Sequence, residues 1–378
     1  MDLLNYIWTN GAAFVFILTV IVFIHEFGHY FVARRCGVRV EVFSIGFGPE
    51  LFGWTDRAGT RWKFSVLPLG GYVRMFGESS MPGAEGEDAR EMTAEERAVS
   101  FQEKSLARRV AIVSAGPLAN FVLAIVVWAV LFATVGQRVT PPNVGTVQSG
   151  SAAEEAGLKP GDLIVSIDDK EIERFSDLQR IISVSPGVPL RVGLRRDGRE
   201  LTLMVTPKLK EITDVLGNRH EVGLIGVSPA GTAFVRHGPA TAVLKAVQET
   251  YRYATLLLEV LGEIISGTRS SKELGGPIGI FQMSGQMAEF GLPTVFWFIA
   301  MLSVNLGLIN LFPIPVLDGG HLMFYAIEAV RGKPPSERFM EYGFRLGLGL
   351  VLTLFVFVTY QDIRRFQGVV EFFQGIFS

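Results

Sequence analysis

The stretch from Ala12 to Ala33, AAFVFILTVIVFIHEFGHYFVA, is the most informative part of this sequence. It is long enough to cross a hydrocarbon core about 30 Å thick, which takes ~20 apolar residues in a helix. Its second half nevertheless contains two histidines and a glutamate, His25, Glu26 and His29. Ionisable side chains inside a membrane span are costly, so their presence indicates a functional site.

The spacing of these three residues predicts a metal site. On a helix, residues i and i+4 share one face, so His25 and His29 can bind one Zn²⁺ together. Glu26, next to His25, can then approach water at the metal. The alternative is a polar cluster that only forms hydrogen bonds between helices. That alternative does not explain why three costly groups lie together.

A catalytic zinc usually has three protein ligands, so a third must come from elsewhere in the chain. Two candidates lie in apolar surroundings, Asp318 and His321. They follow Pro313 and Pro315, which interrupt any helix at that point. Irregular backbone at membrane depth is tolerated where it lines a cavity or is buried in protein, so a polar site can form there.

Hydropathy predicts three further spans and thus a polytopic α-helical membrane protein with about four transmembrane helices. These spans are Val110–Val135, Thr294–Leu317 and about Tyr342–Gln361. Charged residues make up only 19% of the 378 residues, against about 25% in soluble domains. The net charge of −2 and the lack of a basic run exclude a nucleic-acid partner. The single cysteine, Cys36, excludes a disulfide scaffold.

The basic residues beside the spans predict the orientation of the chain. They place the N-terminus, the segment from about 137 to 290 and the C-terminus outside. Only Arg364 and Arg365 argue against this orientation. The residues that support it are Arg34, Arg35, Arg39, Arg108, Arg109, Arg331, Lys333 and Arg338.

The outside segment contains a small strand-rich domain over residues 143–207. Alternating apolar residues, such as Leu190, Val192 and Leu194, predict strands separated by turns at Pro186-Gly187 and Asp197-Gly198. Within it, GLKPGDLIVSI (157–167) resembles the turn and strand of a bacterial PDZ domain. The alternative is a small β-domain without a ligand.

The segment from Thr241 to Ile265 is apolar enough to be mistaken for a span, but its charges form one stripe on a helix. We therefore predict an amphipathic helix at the membrane face. A solvent-facing helix of the outside domain is the alternative. The charged residues of the stripe are Lys245, Glu249, Arg252, Glu259 and Glu263.

Together with HEFGH (25–29), the stretch NLFPIPVLDGG (310–320) resembles the two motifs of the site-2 protease family, specifically its bacterial RseP type. AGPLAN (115–120) resembles that family's second-helix motif. SIGFGP (44–49) and LPLGGY (67–72) resemble its membrane-associated β-hairpin. The resemblance covers nearly the whole chain. It departs in one respect, because the best-known members carry two tandem PDZ domains and this chain has room for one.

The resemblance implies a zinc intramembrane endopeptidase in which His25, His29 and Asp318 hold Zn²⁺ and Glu26 is the catalytic acid/base. It gives His321 and Asn305 no ligand role. Its implied substrates are single-pass transmembrane proteins of the anti-sigma-factor type, and remnant signal peptides are a second class. It also implies the bacterial inner membrane, with lipids as partners and the PDZ-like domain on the periplasmic side.

Substrate-binding roles are predicted for Asn310, Pro313, Gly46 and Gly48. The Asn310 amide can bind substrate backbone or support an oxyanion. The hairpin, at about 38–76, can pair with an extended substrate through β-addition, and the alternative is that it only plugs the active-site entrance.

Four regions follow from these predictions. They are an N-terminal membrane core (1–136), a PDZ-like domain (137–239), an amphipathic helix with a connector (240–293) and a C-terminal membrane core (294–378). A catalytically silent membrane scaffold with a PDZ domain remains as the alternative function, but it has no need for Glu26 beside two histidines.

Overall fold

The computed structural model describes residues 3–78, 92–213, 219–267 and 275–365. The chain divides into two compact units. We call them the helical unit (1–130, 243–259 and 271–378) and the strand-rich unit (131–242 and 260–270).

Helices and strands are numbered in chain order. The helices are α1 (Leu3–Arg35), α2 (Ala94–Val99), α3 (Leu106–Thr134), α4 (Ala152–Glu155), α5 (Phe175–Ser183), α6 (Pro239–Ser266), α7 (Pro277–Glu289), α8 (Leu292–Asn310), α9 (Asp318–Arg331) and α10 (Glu337–Arg365). The strands are β1 (Val40–Thr55), β2 (Arg61–Met75), β3 (Gln137–Val139), β4 (Val144–Val147), β5 (Leu163–Ile167), β6 (Lys170–Glu171), β7 (Leu190–Arg196), β8 (Arg199–Val205), β9 (Lys208–Thr213), β10 (Arg219–Leu224), β11 (Val227–Pro229) and β12 (Ala233–Val235).

Among the residues that the structure describes, four helices are long and apolar enough to cross a membrane, which agrees with the predicted number of spans. They are Asn10–Arg35 within α1, all of α3, all of α8, and Glu337–Arg364 within α10. The prediction for the third span was wrong at its C-terminal end, because the helix stops at Asn310 and not at Leu317. Pro313 and Pro315 cannot continue an α-helix, so the apolar residues after Asn310 form a loop.

A long β-hairpin, β1 paired antiparallel with β2, follows α1. It lies within the predicted range of 38–76. Asp56 organises its turn, because Oδ1 accepts the backbone N–H groups of Ala58 (2.8 Å) and Thr60 (3.0 Å). Oδ2 accepts the indole N–H of Trp62 at 2.9 Å. The hairpin is therefore fixed at its turn by one carboxylate.

The strand-rich unit is built on a four-stranded antiparallel sheet in the order β6-β5-β7-β8. The predicted alternation is confirmed, since Leu190, Val192 and Leu194 point into a buried core that also contains Leu178 and Ile182 of α5. The predicted Asp197-Gly198 turn joins β7 to β8. Three further strand pairs, β4–β11, β3–β12 and β9–β10, complete the unit.

Helix α6 spans the segment predicted to be an amphipathic helix. Ala246 and Thr250 are buried, and Tyr253 contacts Trp128 of α3 with the ring centroids 6.2 Å apart. By contrast, Leu244 and Tyr251 are exposed. The helix thus contacts α3 at Tyr253, buries Ala246 and Thr250, and leaves other apolar side chains uncovered.

Helices α7 and α9 were not predicted. Helix α7, in the predicted connector, packs on α1, where Phe14 and Phe281 contact edge to face at 5.7 Å. Its N-terminus is capped from α10, because the Asp362 carboxylate accepts the backbone N–H groups of Gly276 (3.1 Å) and Gly279 (3.0 Å). Asp362 is buried in the last span, so this contact fastens α7 to that span.

Candidate metal centre

Three side chains from two distant parts of the chain converge in the helical unit. His25 and His29 lie one turn apart on α1, with their Nε2 atoms 3.3 Å from each other. Asp318 stands at the first residue of α9, and its Oδ2 lies 3.2 Å from Nε2 of His25 and 3.5 Å from Nε2 of His29. Each histidine is only 8% exposed. The three atoms can therefore hold one metal ion between them.

The chemistry of this donor set fits zinc. Two imidazole nitrogens and one carboxylate oxygen are a common ligand set of catalytic zinc sites, which keep one further position open. Asp318 Oδ2 is buried and accepts no hydrogen bond from the part of the chain that the structure describes. A buried carboxylate oxygen without a donor is costly, and a cation between these three atoms would satisfy it.

The outer nitrogen of each imidazole faces α3. Nδ1 of His29 donates to the backbone carbonyl of Ile112 at 2.9 Å. Nδ1 of His25 lies 3.2 Å from the amide nitrogen of Asn120. Both rings therefore present Nε2 to the site, and α3 restrains their orientation.

Small residues let α3 approach α1 at this point. A Cβ on Gly116 would clash with the imidazole ring of His29. A Cβ on Gly28 would clash with the carbonyl oxygen of Ala115 and lie 2.8 Å from Cβ of Ala119. Close helix contacts of this kind are typical of small residues in membrane helices. The AGPLAN stretch is thus the surface on which the two histidines rest.

The loop between α8 and α9 folds back over the first turn of α9. A Cβ on Gly319 would clash with the carbonyl of Phe312, and one on Gly320 would lie 2.5 Å from Cα of Pro315. Val316 has a φ of 122°, which is unusual for a β-branched residue and costs about 1–3 kcal/mol. Such strained backbone often occurs at functional sites, and here it precedes Asp318 by two residues.

Glu26 faces the hairpin. Its carboxylate lies near the backbone N–H of Val73 on β2. A Cβ on Gly71 would lie 3.5 Å from Cγ of Glu26 and only 2.6 Å from the carbonyl oxygen of Ser44 on β1. The glycine therefore lets the hairpin lie close against the face of α1 that carries Glu26.

The predicted substrate-binding residues lie in two places. The amide nitrogen of Asn310, at the end of α8, is 3.5 Å from Nε2 of His25, so this residue borders the metal position. Pro313 lies in the loop before Asp318. Gly46 and Gly48 lie on β1 with positive φ, and a Cβ on Gly46 would be 2.6 Å from the carbonyl of Leu67.

His321 was the other candidate for the third ligand. It lies outside the convergent group and contacts the ring of Phe344, with the centroids 5.4 Å apart. Asp318 is therefore the candidate that the fold brings to the two histidines.

The sequence model of peptidase family M50 matches residues 13–354. The chain belongs to peptidase family M50. A protein of Rhizobium meliloti named as a zinc metalloprotease is 48% identical over 371 residues, or 97% of this chain and 99% of that protein. One from Agrobacterium fabrum is 45% identical over 360 residues, or 94% and 96%. Metalloprotease MmpA of Caulobacter vibrioides is 38% identical over 391 residues, or 97% and 98%.

A solved structure also resembles part of this M50 chain. It is the PDZ domain of the SdrC-like protein from Listeria monocytogenes, which covers 24% of this chain and 87% of its own at 20% identity. Its TM-score of 0.19 is too low to bear on the fold.

The family and the four apolar helices make this M50 protein a multi-pass membrane metalloprotease that uses zinc. The sequence had already indicated this conclusion through its two motifs. It gave no role to Asn120, although the residue lies in a quoted motif, because nothing in a sequence says that its side chain meets His25.

Proposed function

We propose that this M50 protease hydrolyses peptide bonds within the transmembrane segments of single-pass membrane proteins. The observation that supports this is that Asp318 of α9 meets His25 and His29 on α1, a helix that is itself a candidate span. A soluble substrate would not require a polar site in such a helix, where ionisable groups are costly.

In this proposal His25, His29 and Asp318 are the zinc ligands. When bound, zinc lowers the pKa of water at the site to about 7 and polarises the scissile carbonyl. Glu26 is the general base. It directly follows a ligand on α1, is not a member of the convergent group, and lies on the side of α1 that faces the hairpin. Its carboxylate takes the proton from water and returns it to the leaving amine.

Asn310 and the hairpin position the substrate. An intact substrate helix keeps its backbone in i to i−4 hydrogen bonds, so it must unwind before attack. Residues 42–45 of β1 pair with 61–64 on one side and with 71–74 on the other, so 71–74 lies at an edge of the hairpin, where an extended chain can add. Gly46, Gly48 and Pro313 lie on the segments that would line such a chain. The Asn310 amide can donate to a substrate carbonyl or to the developing oxyanion.

Exposed apolar residues support a membrane location for the hairpin and for α6. Leu51 and Leu67 on the hairpin are 66% and 55% exposed, and Tyr251 on α6 is 73% exposed. In water these side chains would remain uncovered, whereas lipid at the membrane face would cover them. For α6 this favours the membrane-facing alternative over a helix in solvent.

We further propose that the protein resides in the bacterial inner membrane, with the strand-rich unit on the periplasmic side. The basic residues next to the spans support this orientation. Anti-sigma factors are the proposed substrate class, since they are single-pass proteins whose cleavage inside the membrane would release a signal. Remnant signal peptides share this chemistry and are a second class.

The deciding experiment uses the purified full-length protein and a single-pass substrate in detergent. Glu26→Gln should abolish cleavage while zinc stays bound at the level of the parent protein, because Glu26 is not a ligand. Glu95→Gln, an exchange of the same kind at an exposed position on α2, is the control and should retain activity. Full turnover by Glu26→Gln would contradict the proposed role of Glu26, whereas a parent protein that cleaves no substrate would favour the silent scaffold.

A further inference from the structure

Asn120 of α3 is fully buried, yet only one of the two polar atoms of its amide has a neighbour at hydrogen-bond distance. Its side chain is 0% exposed. Nδ2 lies 3.2 Å from Nδ1 of His25, and Oδ1 has no hydrogen-bond partner among the described residues. A buried amide with an unused polar atom costs about 1–3 kcal/mol. A leucine would avoid that cost, so stability does not explain an asparagine at this position.

The requirements of His25 give the amide a definite orientation. A neutral imidazole carries one proton, so if Nε2 uses its lone pair to bind a metal, Nδ1 carries the hydrogen and must donate it. An amide NH₂ cannot accept this hydrogen, whereas the amide oxygen can. The two ends of an asparagine amide have nearly the same shape, and a half turn about its last bond brings Oδ1 to Nδ1 of His25.

The outer nitrogen of the second histidine, His29, also meets an acceptor on α3. Nδ1 of His29 donates to the carbonyl oxygen of Ile112, also on α3, at 2.9 Å. Ile112 and Asn120 are about two helical turns apart, so α3 offers one acceptor to each imidazole. Metal-bound histidines almost always donate their other N–H in this way, and the acceptor fixes the tautomer and the ring orientation.

A third helix holds Asn120 in place. The hydroxyl of Ser303 on α8 donates to the backbone carbonyl of Asn120 at 2.9 Å, and both side chains are fully buried. A Cβ on Gly307 would lie 3.3 Å from Cβ of Asn120, so α8 passes closely over it. The helix that ends at Asn310 thus also restrains the residue that faces His25.

We propose that Asn120 is a positioning residue of the metal centre, whose Oδ1 accepts the Nδ1–H of His25 and so turns the Nε2 lone pair toward the metal. This rests on the zinc ligation of the proposed function but not on peptide hydrolysis. Asn120 itself contacts neither metal nor substrate. When Oδ1 accepts the hydrogen of His25, the amide N–H₂ is left without a partner, and this is the cost of the contact.

The test measures metal affinity of the full-length protein in detergent, by competition with a zinc chelator. Asn120→Ala and Asn120→Leu should bind zinc ~10–100-fold more weakly, as is typical when such a partner is lost. Asn120→Asp keeps an acceptor and loses the donor, so it should bind within a few-fold of the parent protein. The Co²⁺-loaded forms should follow the same order, with altered visible absorption in Asn120→Ala and a spectrum close to the parent's in Asn120→Asp.

Two controls separate positioning from general structural damage. Ser303→Ala removes a hydrogen bond to the same residue but keeps the amide, so it should lower affinity far less than Asn120→Ala. The melting temperature of metal-free Asn120→Leu should be no lower than that of the metal-free parent, since it removes an unsatisfied polar group.

Either of two results would overturn the inference. One is parent-like zinc affinity in Asn120→Ala, and the other is an Asn120→Asp variant as weak as Asn120→Ala, which would make the amide a donor. A parent protein that binds zinc but cleaves no membrane substrate would contradict the proposed function and leave this inference standing.

Discussion

Gly28 on α1 lies directly against the backbone carbonyl of Ala115 on α3, with no room for a side chain between the two helices. This contact sets the distance between the helix that carries the two histidines and the helix that supports their outer nitrogens. The geometry of the metal centre therefore depends on a residue that has no chemical group of its own.

Gly28→Ala should weaken zinc binding and lower cleavage. The added Cβ would clash with the Ala115 carbonyl, and separation of the helices would lengthen the contacts from His25 and His29 to α3. Overpacking of this kind costs about 1–3 kcal/mol of stability. Zinc affinity and the melting temperature are the measurements. Gly11→Ala on the same helix is the matched control, since its Cβ would meet nothing closer than Phe281 at 3.9 Å. Equal behaviour of the two variants would contradict the close-contact argument.

Asp318→Asn should reduce both bound zinc and cleavage, because a neutral amide is a much poorer ligand than a carboxylate. His321→Gln should leave the zinc content unchanged, since His321 packs on Phe344 outside the convergent group. Metal analysis after extensive dialysis decides whether Asp318 or His321 is the third ligand. Full zinc content in Asp318→Asn together with loss in His321→Gln would transfer the ligand role to the histidine.

How much of this could be predicted from the sequence depends on whether a feature is local. The i, i+4 spacing of His25 and His29 is local, and so are the strand alternation and the turns of the strand-rich unit. Pro313 and Pro315 also predicted the break after Asn310. Hydropathy alone, however, placed the end of the span at Leu317.

Features that depend on distant contacts could not be predicted. Helix α7 is short, and the carboxylate that caps its N-terminus comes from Asp362 in the last span. The positive φ of Val316 has no signal in its residue type, which disfavours it. Asn120 meets His25 only because Gly28 and Gly116 let two helices approach.

The strand-rich unit should lose stability in acid through one buried ion pair. Asp162 is 1% exposed, and Arg196 binds both of its oxygens at 2.6 and 2.7 Å. Burial by itself would raise the pKa of Asp162, but the hydrogen bonds from Arg196 and from the N–H of Lys159 outweigh it and lower the pKa below its ordinary value of 3.8. The pair therefore stabilises the fold fully above pH 3.8 and progressively less as pH falls through the lowered pKa.

Asp162→Asn should remove this acid sensitivity and destabilise the unit at neutral pH, because it leaves Arg196 without its charged partner. Breaking a buried pair costs about 3–5 kcal/mol, and the partial exposure of Arg196 places the loss near the lower end. Hydrogen exchange of residues 157–205 in the full-length protein, followed from pH 7 to pH 2, measures both effects. Asp169→Asn removes an exposed pair with Arg191 and should change little. Parallel pH profiles for the parent and Asp162→Asn would contradict the assignment.

The last prediction concerns selection of the substrate by the strand-rich unit. The two adjacent prolines, Pro141 and Pro142, do not form a free tether to α3, because they lie inside the unit. The carbonyl of Pro142 accepts the N–H of Ile164 at 3.0 Å, and that of Thr140 accepts the N–H of Phe175 at 2.9 Å. The unit is instead closed at its base by β3 and β12, where Val139 pairs with Ala233 and Gln137 pairs with Val235.

The pairing of β3 with β12 allows the rest of the strand-rich unit to be removed without breaking a strand. Residues 140–232 can be replaced by Asn-Gly, a turn suited to joining two paired strands, which keeps β3 and β12 and leaves no strand of the removed sheet behind. If the unit excludes substrates with bulky external domains, the shortened protein should cleave an untrimmed substrate that the parent protein spares. If the unit captures a new C-terminal carboxylate, as PDZ domains can, cleavage of a trimmed substrate should fall instead. Parent-like rates on both substrates would reject both roles, and an unchanged zinc content would show that the metal centre had survived the excision.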